Sequence, residues 1–212
     1  VTKHLLILAV WLLCIGRASA SIVSTTGDVA QVPAPPSVDN DVYESDTHIS
    51  LFVERQSLRL SSAVTVDISQ PGTVTDSPDF SRTDLAAGTW VDSYYLHFDP
   101  VGSPAPSFVS LTGFVTFDQP ILGIIITNTY LNACDAILGA PGTIYPTGGP
   151  VSPGLDLNQD VLTLTADRHS LWISLSARRG IDALRVVTAA VPEPATASLL
   201  IIAAAFLPRR PR

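Results

Sequence analysis

Strict alternation of side chains to opposite sides of an extended backbone is the feature that most limits what this chain can become. In residues 89–99, Val91, Ser93, Tyr95, His97 and Asp99 fall on one face, and Trp90, Asp92, Tyr94, Leu96 and Phe98 on the other. A period of two marks a β-strand, because successive side chains point to opposite sides of a sheet. The pattern returns in residues 107–118, where Phe114, Thr116 and Asp118 oppose Gly113, Val115 and Phe117. It returns again in residues 170–177, where Leu171, Ile173 and Leu175 alternate with Trp172 and Ser174. Shorter runs of β-branched and aromatic residues lie at 49–54, 57–60, 64–68, 121–127, 160–165 and 183–188, bounded by turn signals. This density predicts a mainly β domain over residues 49–190. The expected form is an antiparallel β-sandwich, jelly-roll-like, in preference to a parallel sheet.

One segment breaks the pattern. In residues 128–139, Leu131, Ala133, Cys134, Ile137 and Leu138 can share a helical face, and Gly139 suits a helix stop. Residues 139–154 then hold four prolines and five glycines, the composition of a long surface loop. Residues 32–40 are proline-rich, so residues 21–48 read as a linker or disordered segment ahead of the sandwich.

Both ends of the chain are apolar. Lys3 and His4 precede an apolar run from Leu5 to Ile15, which Gly16 and Arg17 join to Ala18-Ser19-Ala20. A short basic start, an apolar stretch of this length and an A-x-A site predict a signal peptide over residues 1–20, cut between Ala20 and Ser21. The run is too short to span a bilayer core of about 30 Å at about 1.5 Å per residue. At the other end, Pro192-Glu193-Pro194 forms a stiff, extended break. An apolar, helix-favouring stretch from Ala195 to Leu207 follows, then Pro208 and the cations Arg209, Arg210 and Arg212. Arginines after an apolar helix fit a cytoplasmic stop, with the preceding domain on the far side of the membrane.

Taken together, residues 191–212 resemble the PEP-CTERM sorting signal: the Pro192-Glu193-Pro194 triplet, an apolar helix and terminal arginines, in that order. The resemblance implies export by the Sec translocase and a transient stay in the inner membrane. It further implies recognition at the triplet by exosortase, a transpeptidase-like bacterial enzyme, and release to the cell surface or the extracellular matrix. It also implies an association with extracellular polysaccharide. Residues 91–187 resemble, more loosely, a domain that recurs in secreted proteins with this signal, and no activity comes with that likeness.

Charge narrows the partners of the domain. Residues 21–190 carry 18 Asp and Glu against 7 Arg and no Lys, a formal −11, against −7 for the whole chain. Such a domain repels a phosphate backbone, which excludes nucleic acid as the expected partner. Of two cysteines, Cys14 lies in the N-terminal apolar run, so the processed chain keeps only Cys134 and forms no internal disulfide. Cys134 reads as a small buried hydrophobe.

Catalytic motifs are missing from the sequence. It contains no G-x-S-x-G elbow, no P-loop and no G-x-G-x-x-G. His48, His97 and His169 have no zinc-ligand spacing. His97 and Asp99, two apart on one strand face, are the nearest approach to a catalytic pair, and an exposed polar stripe explains them as well. The expectation is a non-catalytic protein without an obligatory cofactor. Asp156, Asn158 and Asp160 offer oxygens at alternate positions, a candidate calcium set, although ordinary turn chemistry explains them too. Asp39, Asp41, Glu44 and Asp46 read as solvated charge. Trp90, Tyr94, Tyr95 and Trp172 raise a carbohydrate surface as an alternative, with Trp90, Tyr95 and His97 as the candidate contacts if Tyr95 and His97 face outward. A secreted polysaccharide hydrolase, drawing on Asp99 and Asp156, is the remaining alternative.

Overall fold

The computed structural model describes residues 21–76, 79–102, 105, 107–147 and 153–190. The predicted signal peptide and the C-terminal apolar segment lie outside the described residues. Within these residues the protein is mainly β, built from two five-stranded sheets, a two-stranded sheet and one short helix.

The first five-stranded sheet runs β1 (Ile22–Gly27), β8 (Val109–Phe117), β11 (Ser170–Ala177), β10 (Val161–Leu164), β5 (Gly72–Val74) and is antiparallel throughout. The second runs β2 (Val29–Gln31), β3 (Ile49–Arg59), β7 (Trp90–Phe98), β12 (Asp182–Ala189), β9 (Ile121–Ile125). It is mixed, because β2 pairs parallel with β3 while the other pairs are antiparallel. β4 (Val64–Val66) and β6 (Thr83–Leu85) form a separate antiparallel pair. The helix α1 (Asn128–Leu138) follows β9 directly.

The two large sheets share one hydrophobic core. Leu111, Val115 and Phe117 of β8 and Leu171, Ile173 and Leu175 of β11 pack in a single cluster with Tyr94, Leu96 and Phe98 of β7 and with Leu184 and Val186 of β12. Tyr94 and Phe117 join the sheets ring to ring, with centroids 4.8 Å apart. Each fully buried side chain of this size contributes about 1.5–3 kcal/mol relative to exposure.

A second cluster lies on the opposite face of the mixed sheet. Phe52, Val91, Tyr95 and Val187 meet Leu131, Cys134 and Leu138 of α1 there, together with Val64 and Val66 of β4 and Tyr145. The mixed sheet is therefore a middle layer, covered on both faces, and β7 is buried from Val91 to Phe98. β8 and β11 bury one face only, whereas β7 and β12 are buried on both.

Three further expectations are corrected. Residues 21–48 are not a linker, because β1 and β2 lie within them and add an edge strand to each sheet. Runs 49–54 and 57–60 are one strand, β3, whose register with β7 shifts between Val53 and Arg55 and again between Arg55 and Leu58. Ser57 takes φ 50 at this irregularity, and its N–H donates to Asp92 Oδ1. Gly139 does end α1, but with φ −62 it is not a left-handed cap. A Cβ there would lie 2.5 Å from the Asp135 carbonyl and 2.8 Å from the Tyr145 ring, so close approach is what requires glycine. On α1 itself Leu131, Cys134 and Leu138 are buried and Ile137 is partly buried, whereas Ala133 is exposed.

Candidate functional site

The densest polar chemistry in the described residues lies between the middle sheet and α1. Arg185 on β12 faces Glu54 on β3, with Nε–Oε2 at 2.7 Å and Nη2–Oε1 at 2.8 Å. Both side chains are fully buried. Nη2 also donates to Asp135 Oδ1 at 3.0 Å, and Nη1 donates to Cys134 Sγ at 2.7 Å and to the Leu131 carbonyl at 3.3 Å. Glu54 accepts in addition from the Ser93 hydroxyl and from the Tyr145 hydroxyl, the latter at 2.6 Å. Tyr145 in turn accepts the Ala140 N–H at 2.8 Å. The guanidinium lies 5.2 Å from the Tyr95 ring centre and 5.3 Å from that of Tyr145.

Burial works against the Arg185 charge, but Glu54 outweighs it and holds its pKa well above the ordinary value. Burial pushes the Cys134 thiol up to about 11, against the pull of Arg185, so the residue stays a thiol at neutral pH. A nucleophile needs a thiolate and an approach path. Cys134 is 3% exposed and protonated. The hydrogen bonds of Arg185 and Glu54 run to other groups of this network. Neither Glu54 nor Arg185 was singled out from the sequence, although a charge amid the apolar runs ISLFV and VVTAAV was the available signal.

At one end of the sandwich, carboxylates gather. Asp41, Glu44 and Asp99 place ligand oxygens within 4.8 Å of one another. Asp99 Oδ2 accepts the Asp41 N–H at 2.8 Å, and Asp41 takes φ 58. Glu44 and Asp46 accept the N–H groups of Gly102 at 2.6 Å and Val101 at 2.9 Å. Glu44 and Asp46 are therefore tied to the segment after β7, while Asp39 and Asp41 are exposed. Burial pushes Asp99 up to about 7, opposed by the Asp41 N–H and reinforced by the Asp41 and Glu44 charges.

Beyond the ends of β10 and β11 lies a cavity of about 390 Å³, lined by Phe108, Asp156, Gln159, Arg178, Arg179 and Asp182 among others. Burial pushes Asp182 up to about 8, with Asp160, Asp156 and Asp99 adding to it. Its Oδ2 is buried without a hydrogen-bond partner. Asp99 is not among the lining residues, so Asp99 and Asp156 do not face each other across this cavity.

The residues expected to contact calcium or sugar are placed as follows. Asp160 is fully buried and acts as a clamp: Oδ1 accepts the Ser176 N–H at 2.9 Å and Oδ2 the Asp156 N–H at 2.6 Å. Asp156 and Asn158 are exposed, whereas Asp160 is buried and already bonded to two backbone N–H groups. The Asp156–Asp160 bonds close a turn at the start of β10.

Tyr95 and His97 are each 1% exposed and cannot offer a sugar platform, because α1 and the loop that carries Tyr43 cover that face of β7. Burial holds His97 down to about 4. Its Nε2 bonds the Tyr43 carbonyl at 3.1 Å, so His97 and Asp99 have separate partners and make no catalytic pair. Trp90, at the start of β7, is 39% exposed. Ser21 is exposed and bonds Asp118. Ala18, Ala20, Pro192, Glu193, Pro194, Arg209, Arg210 and Arg212 lie outside the described residues.

The antiparallel sheet has a different chemistry. Its five strands contain no Asp, Glu, Lys, Arg or His. Its outward face carries Ser and Thr, Val23 and Val161, and two aromatic rings, Trp172 and Phe114, which are register partners. Trp172 is 36% exposed. Hydroxyl pairs bond across neighbouring strands: Thr73 to Thr163 at 2.8 Å, Ser110 to Ser176 at 2.8 Å, and Thr116 to Ser170 at 3.0 Å. Among the described residues, no helix is long and apolar enough to cross a membrane.

Comparison with known proteins finds no family model, no curated protein and no solved structure that matches this chain.

Proposed function

We propose that this chain is an exported bacterial surface or matrix protein, sorted by a C-terminal PEP-CTERM signal, non-catalytic, and associated with extracellular polysaccharide. The observation that carries the reading is the order of signals at the two ends: a basic, apolar, A-x-A start and a Pro-Glu-Pro, apolar, arginine finish. The β domain between them supports a structural role, because its strongest ion pair is fully buried and saturated by internal partners. Residues 1–20 act as the signal peptide, and residues 195–207 hold the chain in the inner membrane until exosortase acts at the triplet. Thirteen apolar residues make about 20 Å of helix, so local bilayer thinning or snorkelling of the arginines completes the span.

Cell fractionation with mass spectrometry of both termini tests this. The expected result is a chain that begins at Ser21 and has lost its arginine end, recovered from the surface or medium. Replacement of Pro192, Glu193 and Pro194 by alanine keeps the tail and leaves the chain in the inner membrane. Full-length protein in the cytosol, with both ends uncut, refutes the reading.

A further inference from the structure

We propose that the outward face of the antiparallel sheet is a platform for a neutral polysaccharide chain, with the Trp172–Phe114 pair at its centre. The inference deepens the reading above by naming the surface that would meet the polymer, and it rests on that reading for the presence of one.

Strand register aligns the side chains of this face. Thr73 pairs with Thr163, Thr163 with Trp172, Trp172 with Phe114, and Phe114 with Thr26. Directly paired residues point to the same side of a sheet, so these five side chains form one row across all five strands. Strands lie about 4.8 Å apart, which makes the row roughly 19 Å long. That spacing is close to the length of one hexose unit in an extended chain. Two aromatic rings lie in the row, flanked by hydroxyls that both donate and accept. A sugar presents the same two features, an apolar C–H face and a rim of hydroxyls.

Charge then selects among occupants. The whole chain carries −7, yet this face has no charged strand residue. The middle sheet, by contrast, carries Glu54, Arg55, Arg59, Asp92, His97, Asp182 and Arg185 in its strands. Within the strands an acidic polymer would find no cation and a basic partner no carboxylate; Asp118 and Arg178 lie just past the ends of β8 and β11. A second copy of the chain fits poorly, because among the described strand residues of this sheet only Trp172, Phe114, Val161 and the edge residue Val23 are large, apolar and outward. A stable protein interface needs a more apolar centre. A neutral, hydroxyl-rich polymer matches all of these properties.

The test is a depletion assay of the purified 212-residue chain, in mild detergent, on microcrystalline cellulose, with the acidic polymer alginate in parallel. The wild type is expected to bind cellulose and not alginate. Trp172→Ala lowers the partition coefficient about tenfold or more, Trp172→Tyr restores most of it, and Trp90→Ala leaves it unchanged. Trp172 is outward, and a circular dichroism melt of each variant confirms that it stays folded. No binding by the wild type to cellulose overturns the proposal. So does full binding by a folded Trp172→Ala, preference for alginate, or a dimer that Trp172→Ala dissolves. The assay uses purified chain, so it decides the platform separately from localisation. Surface delivery without cellulose binding removes the platform and leaves the export reading intact.

Discussion

Arg185 and Glu54 form a two-pronged ion pair with no exposure to solvent, Nε to Oε2 at 2.7 Å and Nη2 to Oε1 at 2.8 Å, across 131 residues of sequence. The pair is bracketed by Tyr95 and Tyr145 and held by Ser93, Asp135 and Cys134. Breaking a buried pair leaves a charge without a partner and costs about 3–5 kcal/mol, while an apolar replacement of both members is often neutral. Glu54→Leu alone is therefore expected to destabilise the domain by about that amount. The double variant Glu54→Leu with Arg185→Met recovers a large part of the loss. Denaturant titration of the wild type, both single variants and the double variant measures the coupling.

Three buried carboxyls set the pH dependence. Asp160 titrates at about 6, Asp99 at about 7 and Asp182 at about 8, each raised from 3.8 chiefly by burial. The folded state holds these protons more tightly than the unfolded chain. Their contribution is full below 3.8 and is lost as the pH rises through the three values. His97 works in the opposite direction: its folded value of about 4 lies below the ordinary 6.5, so its contribution is lost as the pH falls from 6.5 towards 4. The melting temperature is expected to fall between about pH 6.5 and about pH 9. In Asp182→Asn the fall is smaller, because Asn has no proton to lose. A fall of equal size in that variant contradicts the assignment.

Ser21 sits against Asp118 in a way that depends on processing. Its N–H donates to Asp118 Oδ1 at 2.8 Å and its hydroxyl to Oδ2 at 3.1 Å. Cleavage after Ala20 would turn that amide into an ammonium facing a carboxylate. Exposed pairs contribute about 0–1 kcal/mol. Asp118→Asn is expected to lower the melting point of a chain that begins at Ser21 slightly, with the difference shrinking in high salt. An unprocessed chain shows no such salt dependence at this position.

Gly139 is fixed by space. In Gly139→Ala the new methyl would press on the Asp135 carbonyl and on the Tyr145 ring. Tyr145 donates to Glu54, so the strain reaches the ion pair. Overpacking of this kind costs about 1–3 kcal/mol. Gly142→Ala is the comparison: the added methyl has open space, and the cost there comes from φ 85 alone. A larger midpoint shift for Gly139→Ala in denaturant, with α1 retained by circular dichroism, is the expected result.

The strands with long, uninterrupted alternation were legible. β11 occupies residues 170–177 as expected, and β7 and β8 lie within their predicted runs. β5 and β6 are three residues each, too short for alternation to register, and exist because a partner strand supplies their hydrogen bonds. β1 and β2 were hidden by the prolines that follow them, Pro33, Pro35 and Pro36, which coloured the whole segment as linker. The placement of Tyr95 and His97 was not legible, because a period of two separates the faces of a strand without saying which layers cover them. That α1 lies over this face is a tertiary fact. The charge-free alternation of hydroxyls with apolar residues in β8 and β11 was written in the sequence, but its meaning depends on register, and register is set between strands far apart in the chain.

The position of β12 governs how this chain can be completed. It is the last strand described, yet it lies inside the mixed sheet, between β7 and β9, and it carries Arg185. A chain emerging from its N-terminus first can assemble every other strand and still have a vacant slot between two of them, with Glu54 lacking its cation. The slot is filled, and the carboxylate paired, only when residues 182–189 have arrived. Among the described residues, β12 is the strand that joins β7 to β9 and brings the cation that Glu54 holds.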